Sequence, residues 1–159
     1  MAYSTIPKPS LYFNTVTWTG DDTTSRAISG VGFQPDWTWI KGRSLSVSHL
    51  LQDAVRGTGG SYTLKSDSTG ANGTNTQGNV SAFSSDGFTV AEGSDGDHTR
   101  AVNNGSETYV GWNWKAGGAG SSNSDGSVTS TVSVSTTSGF SIVKYTGTGS
   151  AGATIGHGS

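Results

Sequence analysis

The sequence predicts an all-β protein, an antiparallel β-sandwich of about ten strands with an extended N-terminal arm. Three observations carry this expectation. Gly, Ser and Thr make up about 46% of the 159 residues, a mixture that helix interiors tolerate poorly. Five Trp, five Tyr and five Phe at a formal charge of −2 are too many aromatics and too little charge for a disordered chain. Short alternating runs of Thr, Val and aromatics recur between Gly- and Asp-containing turn signals, as half-buried pleated strands require. A helical bundle is excluded on the same composition, and the strand spacing suits a sandwich better than a small barrel.

Taken in order, residues 1–10 carry Pro7 and Pro9 and read as an extended arm. Residues 11–19 alternate and stop at the Gly20-Asp21-Asp22 turn signal, and a second strand follows around Arg26, Ala27 and Ile28. Residues 37–41 put Trp37 and Trp39 on one face with Thr38 and Ile40 on the other, and bulk on both faces marks an inner strand. Residues 48–56 read as a strand running into Gly57, with a short helix as the alternative, and residues 62–65 as another strand. Residues 69–79 form a polar loop. Residues 80–83 and 88–91 flank Asp86-Gly87, the strongest hairpin signal in the chain. After a second polar loop at 92–106, residues 108–115 alternate with Val110, Trp112 and Trp114 on one face. Residues 116–126 read as a flexible linker or long loop, and strands at 128–134 and 140–145 close the chain.

Several functions fall away on composition. Without cysteine there are no disulfides, thiolate metal sites or Cys nucleophiles. No run of 18 apolar residues exists to cross a membrane, and the N-terminus lacks the basic and apolar regions of a signal peptide, so synthesis in a cytoplasm is expected. Lys and Arg are scattered singly, so nucleic acid is not an expected partner. The Gly147-Thr148-Gly149-Ser150-Ala151-Gly152 segment satisfies a dinucleotide fingerprint but opens no helix, and a turn in a Gly-rich β protein explains it better. Glu92 and Glu107 lie in or beside polar loops, with Asp36 and Asp53 as further carboxylates; no strand-borne acid pair of the glycosidase kind is present. No Ser sits in a nucleophile elbow near His49, His98 or His157, so neither an enzyme nor a cofactor is expected.

One internal echo organises the chain. Phe13-Asn14-Thr15-Val16-Thr17-Trp18-Thr19-Gly20 matches residues 140–147 with Phe, Val, Thr and Gly identical, at an offset of 127 residues, and at that offset Ile28 falls on Ile155. The expected organisation is an arm at 1–10, a sandwich repeat at 11–137, and the start of a second, truncated copy at 138–159. A chance likeness between two Thr- and Gly-rich strands is the alternative.

The echo, residues 4–10, residues 30–41 (Gly30 to Lys41 with both Trp), residues 83–88 around Asp86-Gly87, residues 112–117 (Trp112-Asn113-Trp114-Lys115-Ala116-Gly117) and residues 139–149 together resemble a repeat domain of marine bacteriophage structural proteins. Such proteins, especially in phages of cyanobacteria and other abundant ocean bacteria, are often described as tail-fibre-like. The resemblance covers nearly the whole chain. It implies a jelly-roll or concanavalin-A-like sandwich, a place in the virion, and no catalytic pattern. The expected function is a non-enzymatic virion structural protein, the N-terminal attachment domain of a tail fibre or appendage. Alternatives are a lectin-like receptor-binding module and a capsid decoration protein. Partners would be other tail, portal or capsid proteins, with the chain itself homo-oligomeric, a trimer being one form, and with a host-surface glycan as a further option.

Three sets of residues are candidate sites. Ile6, Pro7 and Pro9 hold an arm that can lie across a neighbouring subunit. Glu92, Asp95 and Asp97 beside His98 are hard ligands on a Gly-containing loop and weak candidates for calcium, although turn chemistry explains them without a metal. Trp37, Trp39, Trp112 and Trp114 could stack on sugar rings, but a polar chain needs its large apolar groups for a core, and their mid-strand positions put them there.

Overall fold

The computed structural model describes residues 8–96 and 99–158 and is nearly all β. Eleven strands are formed among the described residues: β1 (Phe13–Thr19), β2 (Ser25–Ser29), β3 (Trp37–Gly42), β4 (Leu50–Asp53), β5 (Leu64–Lys65), β6 (Asn79–Ser84), β7 (Gly87–Ala91), β8 (Thr108–Trp114), β9 (Ser121–Asn123), β10 (Ser130–Ser135) and β11 (Phe140–Tyr145). They make three antiparallel sheets, a five-stranded one in the order β1-β8-β3-β4-β5 and two three-stranded ones in the orders β2-β7-β6 and β11-β10-β9. The first two sheets face each other and enclose the core. Ile40, Leu50, Trp18 and Tyr109 from the five-stranded sheet meet Phe88, Val90, Ile28 and Val80 from the β2-β7-β6 sheet. An all-β sandwich is therefore observed, with β3 in the middle of the large sheet, as bulk on both of its faces predicted.

The β6–β7 hairpin shows how sequence sets one junction. Ser84 pairs with Gly87, which leaves Ser85-Asp86 as the turn and places Gly87 on the strand rather than in the loop. Gly87 has φ 156° and sits against β2, where a Cβ would lie 2.0 Å from the Ile28 carbonyl oxygen, so no larger residue fits. The Asp86 carboxylate accepts the backbone N–H groups of Gly30 (3.1 Å) and Gly32 (2.6 Å), tying the turn to the end of β2. A bulge between Val80 and Ala82 adds one residue to β6.

Several expectations are corrected. The four Trp residues of β3 and β8 are not in the core: each is half-buried, while Thr38, Ile40, Tyr109, Gly111 and Asn113 between them point inward. Alternation placed each Trp pair on one face of its own strand, the β3–β8 register joins the two pairs, and the choice of face follows from which set the β2-β7-β6 sheet can cover. Gly111 is decisive, because its missing side chain lets Trp18 and Phe88 approach to within 3.3 Å of where a Cβ would be. Residues 116–126 are not only linker, since β9 lies within them and pairs with β10 through Ser121↔Val132 and Asn123↔Ser130. Tyr62 closes a 3-10 turn, Gly60–Tyr62, rather than starting a strand. Pro9–Leu11 likewise forms a 3-10 turn instead of extended arm, which Pro at its first position permits because its missing N–H has no partner to lose. Ile6 and Pro7 lie outside the described residues.

The third sheet lies against the outer side of the five-stranded one. β11 pairs with β10 from Ser135↔Phe140 to Ser130↔Tyr145, and Phe140 stacks on Trp37 and Trp114 at 5.8 and 6.1 Å between ring centroids. The division expected between residues 137 and 138 thus falls in the β10–β11 turn. Farther on, Ile155 bridges to Val128 in parallel, and the Val128 N–H donates to the Thr154 carbonyl at 3.0 Å.

Candidate functional site

The register of the large sheet lays its outward side chains in rows. Phe13, Trp114, Trp37 and Asp53 are successive cross-strand partners, and Thr15, Trp112, Trp39, Leu51 and Leu64 form the next row. Strand spacing of about 4.8 Å brings neighbouring rings into contact. Trp37 and Trp114 lie 4.6 Å apart at 35°, Trp39 and Trp112 5.5 Å apart at 56°, and Phe13 and Trp114 4.8 Å apart at 55°. All four predicted Trp residues are therefore brought together in one aromatic face. Its other members, Phe13, Phe140, Leu51 and Leu64, were not singled out by sequence reasoning. The echo of Phe13 in Phe140 was the signal that could have found two of them.

Two clefts open where β11 crosses this face. One, of about 370 Å³, is lined by Trp37, Leu51, Leu64, the Asp53–Arg56 pair and residues 142–145. The other, of about 300 Å³, lies between Pro9, Tyr12, Phe13 and Trp114 on one side and residues 138–140 on the other. Pro9, the arm residue within the structure, thus reaches the aromatic face rather than standing away from the sandwich. The Trp39 indole Nε1 is buried with no hydrogen-bond partner among the described residues, a donor enclosed on the same face.

The Asp53–Arg56 pair of the first cleft is engaged within the fold. The Asp53 carboxylate accepts the Arg56 Nε at 2.5 Å and the backbone N–H groups of Val55 and Arg56 at 3.0 and 2.7 Å. Arg56 also donates to the Tyr62 carbonyl at 3.0 Å, so the pair closes the turn after β4. Asp36, the other carboxylate weighed for hydrolysis, accepts the Ala116 N–H at 2.7 Å beneath β8. On the inner side of the sheet the Thr38 hydroxyl donates to Asn113 Oδ1 (2.9 Å), and the Thr63 hydroxyl to Gln52 Oε1 (2.8 Å). These bonds let polar residues stand under the aromatic rows without loss.

The remaining candidates lie apart. Asp95 accepts the Thr76 hydroxyl at 2.7 Å, and the Glu92 backbone N–H donates to the Thr24 carbonyl at 2.9 Å. Asp97 and His98 lie outside the described residues, and among the described residues no group of three His, Cys, Asp or Glu side chains gathers as a metal site would. Residues 147–152 enter no helix, and Gly149 and Gly152 take positive φ as turn residues do. Asp21 and Tyr109, whose titrations are displaced, sit at the far end of the sandwich from the aromatic face. The Thr23 hydroxyl, Asn103 amide and Thr23 N–H donated to Asp21, with Arg26 at 3.3 Å, hold its carboxyl down at about 2. Burial pushes the Tyr109 hydroxyl up to about 12; it donates to the Arg100 carbonyl at 2.8 Å.

What the arrangement can do chemically is bind by surface and shape: an aromatic face, two clefts beside it, and a strand laid across it. Compared with known proteins, residues 8–159 match a family model described as a domain of unknown function (DUF7483). No curated protein and no solved structure matches the chain.

Proposed function

The chain belongs to the DUF7483 family, and we propose that it serves as a non-enzymatic structural module of a bacteriophage particle, the attachment domain of a tail fibre or appendage. The observation that carries this reading is the packing of β11. A strand that repeats β1 in sequence is seated on the aromatic face of the same domain through Phe140, Trp37 and Trp114, an arrangement suited to joining like units in series. The short, Gly-punctuated strands and the internal use of Asp53, Arg56 and Asp36 fit a building block better than a reaction site. The phage setting itself rests on the sequence resemblance.

The experiment is mass spectrometry of purified virions together with a chain lacking residues 1–10. The expected outcome is a virion-associated protein whose truncated form folds but is not incorporated. Normal incorporation of the truncated form would remove the arm from the proposal, and absence of the intact protein from virions would remove the proposal.

The half-exposed Trp39–Trp112 pair favours a second reading, a lectin-like module that stacks sugar rings on the outer face.

A further inference from the structure

The two echoing strands have unlike surroundings, and the difference falls on one edge and one face. In β1 the Tyr12 carbonyl accepts the Lys115 N–H at 2.8 Å, and the Gly20 N–H donates to the Glu107 carbonyl at 2.7 Å. Even-numbered residues of β1 therefore direct their backbone groups at β8, because those groups alternate along a strand. Two of them, Val16 and Trp18, also turn their side chains to the core.

The equivalents in β11, 127 positions on, are Val143 and Tyr145, preceded by Ser141. At the head of the β10–β11 hairpin the Ser135 carbonyl accepts the Gly139 N–H at 2.9 Å, which turns Ser135 toward β11 and makes Ser135↔Phe140 a directly bonded pair. Phe140, Ile142 and Lys144 then face β10 with their backbone groups. Ser141, Val143 and Tyr145 direct theirs to the opposite edge, where no strand lies among the described residues. The side chains tell the same story: Trp18 is 8% exposed, whereas Tyr145 at the matching place is 54% exposed. β11 thus has the register of a first strand, with the edge that β8 would fill left open and Tyr145, at the place of Trp18, exposed.

We propose that β11 is the first strand of a further copy of this domain, and that its open edge takes a β8-type strand from that copy. Phe140 then stands opposite the further copy's equivalent of Trp114, Ile142 opposite that of Trp112, and Lys144 opposite that of Val110, as Phe13, Thr15 and Thr17 do in β1. Tyr145 closes the further core where Trp18 closes this one. Phe140 stays stacked on Trp37 and Trp114, so each junction is one strand that belongs to two copies, hydrogen-bonded to β10 of the first and to the β8-type strand of the second. This concerns how copies join and is independent of the particle setting proposed above, so the two fail by different experiments.

The test extends the whole chain after Ser159 by residues 33–137, which completes a second copy in register at the 127-residue offset. Nitration of Tyr145 by tetranitromethane and hydrogen exchange at the Val143 amide are compared with the 159-residue chain. Nitration is expected to slow by about tenfold or more, with the Val143 amide gaining protection of similar size. Nitration at an unchanged rate overturns the inference, whether the added residues fold elsewhere or not at all. Protection of Tyr145 without protection of the Val143 amide also overturns it, since burial would then have come without an added strand.

Discussion

Asp21 stands just past the end of β1 and gathers several donors on its carboxylate. The Thr23 hydroxyl (2.6 Å) and Asn103 amide (2.7 Å) donate to it, and these bonds favour the ionised form. A carboxyl held at about 2 in the folded state contributes stability above the ordinary carboxylate range near 4, and that contribution is lost as pH falls through about 2. The Asp21→Asn variant should therefore show a smaller drop in melting temperature between pH 4 and pH 2 than the unaltered protein, measured by thermal unfolding across that window. An equal drop would remove Asp21 from the acid response. Nothing in the local sequence signalled this arrangement: Asp21 reads as a turn residue, and its partner Asn103 lies 82 positions away. Arg56 and Asp53 are the opposite case, an ion pair between residues only three apart in the chain.

At the scale of strands, β8 joins the two functions of the large sheet. Its odd and even residues present Tyr109, Gly111 and Asn113 to the core and Trp112 and Trp114 to the outside. Trp18, whose indole N–H donates to the Val102 carbonyl at 2.9 Å, stacks on Tyr109 at 5.5 Å and meets Phe88 edge-on at 5.9 Å, all over Gly111. A methyl group at Gly111 would stand 3.3 Å from both rings, so Gly111→Ala is expected to lower stability by about 1–3 kcal/mol, read as a lower urea midpoint with unchanged m. No loss would show that the rings can separate freely. The alternation of β1, β3, β8 and the β6–β7 hairpin was legible because period-2 patterning is local. β9 and the 3-10 turn at Gly60–Tyr62 were not: the first is a polar Ser-Ser-Asn segment whose strand character comes from its neighbour β10, and the second is set by a turn after Gly59 at φ 91°.

Over the whole molecule, two small sheets use the large one from both sides: the β2-β7-β6 sheet covers its inner face and forms the core, and the β11-β10-β9 sheet crosses part of its outer face. This leaves Trp39 and Trp112 half-buried, and their stacking on sugar rings would alter indole emission. Titration with a panel of host polysaccharides should shift Trp fluorescence under the lectin-like reading, with the effect removed by Trp112→Ala; an unmoved spectrum across the panel counts against it. The sequence by itself determined the all-β class, the inner position of β3, the hairpin at Asp86-Gly87 and the placing of Trp37 with Trp39, and of Trp112 with Trp114, on one face of their own strands, because each depends on alternation or on residues adjacent in the chain; that the two pairs meet follows from the β3–β8 register. Only the tertiary structure decided that this face looks outward. Which side of a sheet is buried depends on which side another sheet can close upon, and here Gly111, Ile40 and Tyr109 offered the surface that Phe88 and Trp18 could pack against.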